Sequence, residues 1–145
     1  EIMKNFSVDL LLEYCIKNKK SLTPTRLLII KTLFKNKKPQ SAYDLQNKIN
    51  NDKIKINIST IYRVLEFWIK IGVVHKIASI NKYFTCSKPK EKHIHMINFC
   101  TSCNQVYESC NKSMGLNFDK SVASLKLSMN KQSSIEIPVL CSNCQ

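Results

Sequence analysis

Two CxxC pairs, Cys100/Cys103 in NFCTSCNQ and Cys141/Cys144 in PVLCSNCQ, stand 37 residues apart. Two intervening residues let a tight turn aim both sulfurs of a pair at one ion about 2.3 Å away, so four thiolates in two such pairs match a tetrahedral all-cysteine zinc site. An ion held this way draws the two ends of the intervening segment together. That segment is longer than the roughly 15 to 20 residues of a simple zinc ribbon, and it is expected to carry structure of its own. A redox dithiol is the competing chemistry, but it has no use for a second pair.

Length and composition bound the rest. The 145 residues suffice for one domain or two small ones. No apolar run approaches the roughly 18 to 20 residues of a membrane span, and the N-terminus lacks an apolar stretch followed by small residues. An unexported, cytoplasmic chain without a membrane partner is therefore expected, and because it starts at Glu1 rather than methionine, native residues upstream are expected too. Seven cysteines in such a chain point to metal or redox chemistry before a disulfide framework.

Charge is distributed unevenly. The stretch from Glu1 to Lys92 holds 19 Lys/Arg against 7 Asp/Glu, and the stretch from His93 onward holds 4 against 3. This asymmetry points to an N-terminal part that meets a polyanion and a C-terminal part with another task. Genome base content can also enrich lysine, but arginine occurs only at Arg26 and Arg63. An arginine on a contact surface is harder to ascribe to composition.

The basic half reads as short helices in series. FSVDLLLEYCIKN carries apolar residues at Val8, Leu11, Leu12, Cys15 and Ile16, the spacing of one helical face. LTPTRLLIIKTLFKN offers Thr23 as N-cap, Pro24 at the first helical position, and Leu27, Ile30, Leu33 and Phe34 on a stripe. Ser41 caps SAYDLQNKIN, with Asp44 completing a capping box. In NISTIYRVLEFWIKIG, Ser59 is expected as the cap, Ile61, Leu65 and Trp68 inward, and Gly72 as the stop. VVHKIASINKYFTC, with β-branched and aromatic residues on both sides of INK, then reads as a two-stranded hairpin. Helices followed by a hairpin make a winged helix, in which the second helix of the helix-turn-helix enters the major groove of double-stranded DNA. Its leading residues here are Ser59, Thr60, Tyr62 and Arg63. Arg can pair bidentately with guanine and hydroxyls bind phosphate; the other reading makes Tyr62 partly core and Arg63 a solvated surface residue.

SKPKEK, over 87–92, is the expected hinge. Beyond it IHMINF, QVYES and SSIEIPVL read as strands, and NKSMGLNFDKSVASLKLS contains an amphipathic helix with Leu116, Val122 and Leu125 among its apolar positions. Further potential ligands lie outside the four-cysteine group. His75 and Cys86 sit on opposite arms of the hairpin, His93 and His95 lie past the hinge, and Glu108 lies on the next strand. Such a set suits Zn²⁺ and would tie the two halves together. Taken singly, His75 also reads as a satisfied hairpin residue and Cys86 as a small buried apolar one.

LTPTR, SAYDL, STIYRVLEFW, GVVHK, YFTC and the paired CxxC together resemble, in order and spacing, the ferric-uptake-regulator family, most closely its zinc-sensing branch, over about residues 8 to 144. The resemblance implies an α+β chain with a winged helix-turn-helix DNA-binding domain at 1–86, the hinge at 87–92, and a small α+β dimerisation domain with a four-cysteine zinc site at 93–145. It implies a metal-dependent repressor, a homodimer on a palindromic operator, and no small-molecule substrate other than the metal ion. It places a structural zinc on Cys100, Cys103, Cys141 and Cys144, a regulatory zinc on His75, Cys86, His93 and Glu108, and DNA contacts on Tyr43, Tyr62 and Arg63. His95 is the other candidate for that place, since it stands two residues from His93 and alternate residues of a strand share a side. Where the ferric branch has a third histidine before the first CxxC this chain has Ile97, and LKLSMNKQ lacks another of the family's histidines. Both departures weaken an iron- or peroxide-sensing reading, and a thiolate in the sensing set favours zinc over Fe²⁺ or Mn²⁺. A non-sensing, zinc-stabilised nucleic-acid-binding protein is the remaining alternative. A zinc hydrolase is not expected, because Glu91 in the hinge and Glu136 on a distant strand leave the second set without a general base.

Overall fold

Local capping chemistry decides where the N-terminal helices begin and end. In the computed structural model, which describes residues 7–36, 38–87, 89, 94–110, 115–130 and 134–145, the chain divides into two compact units, Glu1–Pro89 and Lys90–Gln145. Residues 88 and 90–92 of the expected hinge lie outside the described residues, as does His93.

The first unit contains α1 (Val8–Lys17), α2 (Pro24–Phe34), α3 (Ala42–Ile49), α4 (Ile58–Ile71) and a hairpin of β1 (Val74–Ile77) and β2 (Lys82–Thr85). Thr23 caps α2 by accepting from the Arg26 amide at 3.3 Å. Ser41 and Asp44 close a reciprocal box on α3: the Asp44 amide donates to Ser41 Oγ at 3.0 Å and the Ser41 amide to Asp44 Oδ2 at 2.9 Å. The cap of α4 is Asn57, not the expected Ser59; its Oδ1 accepts from the Thr60 amide at 2.9 Å and from Ser59 Oγ at 2.8 Å. Gly72 ends α4 in the left-handed region, at φ 87°. Its amide donates to the Ile69 carbonyl, and that of Val73 to the Trp68 carbonyl, the paired bonds of a glycine-terminated helix.

Trp68, Ile61 and Leu65 of α4 are wholly buried, as expected, together with Ile29, Ile30, Leu45 and Cys15. Trp68 Nε1 donates to the Arg26 carbonyl at 3.2 Å, and the Arg26 guanidinium lies 3.7 Å from the centre of the Phe67 ring. Two helices bury different faces from those expected. In α1 the buried set is Leu11, Tyr14 and Cys15, while Val8, Leu12 and Ile16 are exposed. In α2, Ile29 joins Ile30 and Leu33 in the core, because this helix packs against α3, α4 and β2 and so has more than one apolar side.

The hairpin pairs Val74 with Thr85 and Ile77 with Lys82. Its first arm stops at Ile77, and a 3₁₀ turn at Ala78–Ile80 and Asn81 at φ 50° make the connection. Gln40 and Tyr83 exchange backbone hydrogen bonds at 2.9 and 2.8 Å, pinning the wing to the segment before α3.

The second unit is built on a three-stranded sheet in the order β4 (Val106–Cys110), β3 (His95–Cys100), β5 (Ser134–Val139), with α5 (Phe118–Ala123) between β4 and β5 in sequence. β3 pairs antiparallel with β4 and parallel with β5. The expected helix is shorter than its apolar positions implied, since Leu125 lies past its end and both Leu116 and Leu125 are exposed. Among the described residues no helix is long and apolar enough to cross a membrane.

The hydrogen bond from the Ser41 amide holds the Asp44 carboxyl below its ordinary pKa, helped by the Ser41 hydroxyl and by Lys82 and Lys48. A carboxylate that titrates lower in the folded chain contributes fully above its unfolded value of about 3.9 and stops contributing as the pH falls through the folded one. Asp44→Asn is therefore expected to cost about 0.5 to 1 kcal/mol at pH 7, the gap to wild type closing below about pH 4 in urea melts at stepped pH.

Candidate metal centre and nucleic-acid interface

Parallel pairing of β3 with β5 sets Cys100 opposite Val139, two residues before Cys141, and so brings the ends of the long insert together. Tight turns then present the sulfurs. The Asn104 amide donates to the Cys100 carbonyl at 2.9 Å with Asn104 at φ 59°, and the Cys144 amide donates to the Cys141 carbonyl at 2.9 Å. The four sulfurs lie within 4.8 Å of one another, with Cys103 and Cys141 Sγ 3.8 Å apart. Zinc–sulfur bonds of about 2.3 Å make a tetrahedron with an edge of about 3.8 Å, so the donors fit Zn²⁺. The electrostatics agree. Backbone amides of Cys141 and Cys103 aimed at Cys100 lower its pKa to about 6, whereas hydrogen bonding with Cys141 helps push Cys144 up to about 12. The fold favours the thiolate at Cys100 and at Cys141, but four thiolates at this spacing need a cation among them.

The second set of residues falls on both units. In the first, Cys86 is wholly buried, and its amide extends the hairpin ladder to the Val73 carbonyl at 2.8 Å. The register puts Cys86, Val73, His75 and Phe84 on one face, with the His75 and Phe84 ring centres 5.3 Å apart. In the second, His95 pairs with Cys110 and Ile97 with Glu108, so the four side chains share a face. His95 Nδ1 and Glu108 Oε1 are 2.5 Å apart and both side chains are largely buried. His93, which the family spacing assigned to the ion, lies outside the described residues. Glu136, expected on a distant strand, is on β5 opposite Ile97, with β3 between it and Glu108. Ile97 itself is wholly buried.

The leading turn of α4 projects Ser59 and Arg63 into solvent, while Thr60 and Tyr62 are half-buried and Tyr62 packs on the core. The alternation follows from the core side of the helix, Ile61, Val64, Leu65 and Trp68, at helical spacing. Tyr43, on α3, is 59% exposed although aromatic, and it neighbours the buried Ala42. Ser59 is engaged with the Asn57 cap. Asn57 itself escaped the sequence reading; its signal was its place directly before the first apolar residue of the helix.

Fold and donors define an α+β protein that joins a winged helix to a zinc-binding unit. Residues 17–132 match the Ferric uptake regulator family, and the chain belongs to that family of transcription regulators. It is 31% identical over 97 residues to the zinc uptake regulation protein of Escherichia coli (strain K12), a match covering 66% of this chain and 57% of that protein. It is 33% identical over 70 residues to the ferric uptake regulation protein of Synechococcus elongatus, covering 47% of this chain and 46% of that one. The chain thus matches about half the length of these curated relatives. Among solved structures, a zinc uptake regulator complexed with zinc and DNA has a TM-score of 0.82 at 26% identity, over 97% of this chain and 96% of that one. Holo XcZur has a TM-score of 0.79 at 24% identity, over 94% and 95%.

Structural zinc supplies about 10 to 16 kcal/mol of apparent binding free energy in small domains, as much as a whole domain holds in net stability. Cys103→Ser is expected to unfold the second unit and release its zinc, read by near-ultraviolet circular dichroism and by zinc content after gel filtration. A native spectrum without that zinc rules this out.

Proposed function

We propose that the chain is a zinc-responsive transcriptional repressor of zinc-uptake genes, acting as a homodimer on operator DNA and holding one structural and one regulatory zinc in each subunit. What supports this reading is a pair of metal-donor side chains in each unit, His75 and Cys86 on the wing and His95 with Glu108 on the sheet. Zinc takes four donors. Each unit offers a pair of suitable type, and neither pair alone makes a closed site. His95 takes the place given to His93, because it stands beside Glu108. The relative from Escherichia coli and the solved zinc–DNA complex support zinc and DNA as the ligands.

Zinc bound by these residues acts as corepressor, favouring an arrangement in which the two recognition helices of a dimer reach successive major grooves, about 34 Å apart. A typical coupling of about 1 to 3 kcal/mol between metal and DNA suffices for such a switch. Within the chain, Tyr43, Ser59, Thr60, Tyr62 and Arg63 meet the DNA, with Arg63 reading a base edge and the exposed lysines of the first unit holding the backbone. Cys86 favours zinc over iron as the sensed ion, since thiolate is a soft ligand, and Ile97 offers no donor where an iron-sensing relative has histidine.

Titration of operator binding against free Zn²⁺, Fe²⁺ and Mn²⁺ tests the whole reading, and operator binding by wild type independent of zinc overturns it. Cys86→Ser is expected to fold, dimerise and keep the four-cysteine zinc while needing at least tenfold more free Zn²⁺ to bind the operator, with His75→Ala and Glu108→Ala alike and not additive. Arg63→Ala is expected to cost about 1 to 3 kcal/mol at the operator and to flatten discrimination at one base pair. Unchanged affinities for operator and random DNA would remove α4 from the role of recognition helix.

A further inference from the structure

The turn between α3 and α4 is tied together more closely than a solvent-facing turn requires. Residues 51–55 are all exposed, yet side-chain amides close the turn at its base and again inside it. Asn50, the residue that ends α3, donates from Nδ2 to the Ile56 carbonyl at 3.0 Å and accepts at Oδ1 from the Ile56 amide at 2.8 Å. An asparagine side chain carries a donor and an acceptor side by side, so here it takes the place of a neighbouring strand. Gln46, one turn earlier on α3, donates to the same carbonyl from Nε2 at 3.0 Å. Inside the turn, Asn51 Oδ1 accepts from the amides of Lys53 and Ile54 at 2.8 and 2.9 Å, and the Asn51 amide donates to the Ile54 carbonyl at 3.0 Å.

Ile56 is the residue directly before the Asn57 cap of α4. Hydrogen bonds therefore link α3 through Ile56 and Asn57 to the Thr60 amide, at the start of the stretch that carries Ser59, Thr60, Tyr62 and Arg63. Burial of Ile61, Val64, Leu65 and Trp68 fixes how α4 is rotated, but that buried stripe begins only at Ile61. Ahead of it, the place of the helix start is set by the backbone that enters it. A hydrogen bond adds only modestly to net stability, because water competes for the same groups, so the stronger consequence of these bonds to one residue is geometric.

We infer that Asn50 is a positioning residue for sequence recognition, supported by Gln46: by holding both backbone groups of Ile56 it fixes where the first turn of α4 stands relative to α3, and hence where Arg63 meets a base edge. The inference rests on α4 being the recognition helix. Phosphate contacts tolerate small displacements because charge acts over distance, whereas a bidentate pairing with a base edge depends on hydrogen-bond angle and length. Loosening the turn therefore erodes discrimination before it erodes binding.

The test uses the full zinc-loaded chain and two duplexes of equal length, one selected by wild type from random sequence and one unselected. Asn50→Ala is expected to bind the selected duplex about tenfold more weakly and the unselected one within about twofold of wild type, with the salt dependence unchanged because no cation is lost. Asn50→Asp keeps the acceptor for the Ile56 amide and loses the donor. Its added charge weakens binding to both duplexes, and its ratio of the two affinities is expected between those of wild type and Asn50→Ala. Gln46→Ala, with one donor to the Ile56 carbonyl still in place, is expected to lower the ratio less than Asn50→Ala does. Equal losses on both duplexes in Asn50→Ala, or a lowered melting temperature with an unchanged ratio, overturn the inference by making the turn's bonds merely structural. An unchanged ratio in all three variants, alongside a lowered one in Arg63→Ala, overturns it and leaves the recognition helix standing. An unchanged ratio in Arg63→Ala as well removes α4 from recognition, and Asn50 with it.

Discussion

The second unit depends on the parallel pairing of β3 with β5. Parallel neighbours need a long connection, and here that connection contains β4 and α5. The pairing sets Cys100 opposite Val139 and so delivers both cysteine pairs to the same end of the sheet. Four sulfurs within 4.8 Å repel one another once ionised, so the strand pairing that gathers them also creates the demand for a divalent ion. The same central strand carries His95, so the frame that closes the four-cysteine group also orients the His95–Glu108 pair.

In the first unit the governing constraint is burial of α4. Ile61, Leu65 and Trp68 leave almost no freedom in how that helix rotates, and its rotation decides that Ser59 and Arg63 face water. The wing is fixed by a different device, the backbone exchange between Gln40 and Tyr83, which ties the hairpin to the residue before the Ser41 cap. The exposed start of α4 and the His75–Cys86 pair thus belong to one packed body.

Local signals were legible in the sequence and relational ones were not. Thr23, Ser41 with Asp44, and Gly72 act within a few residues of themselves, and each does in the structure what its residue type dictates. Asn57 and Ser59 are comparably good caps two positions apart, and only the geometry of the turn distinguishes them. The α1 sequence offers two overlapping apolar faces, and packing chose the one with Leu11, Tyr14 and Cys15. Cysteine spacing announced the four-sulfur group, whereas the partnership of His95 with Glu108 depends on strand register, which spacing along the chain does not encode. The resemblance assigned a role to His93, which lies outside the described residues, whereas the pairing of His95 with Glu108 came into view only with the strand register.

The order of β3, β4 and β5 along the chain also has a consequence during synthesis. The helices and wing of the first unit, and then Cys100 and Cys103, leave the ribosome well before Cys141 and Cys144, and β3 acquires its parallel neighbour only when β5 follows. Until then β3 can pair on one edge only, and two thiols wait without their tetrahedral complement. A nascent chain at this stage carries a complete, strongly basic winged helix beside an unfinished sheet with an open edge, a template for pairing with another chain. Because closing a long loop by non-local contacts is slow, that edge stays open until β5 has been made and has found its place beside β3.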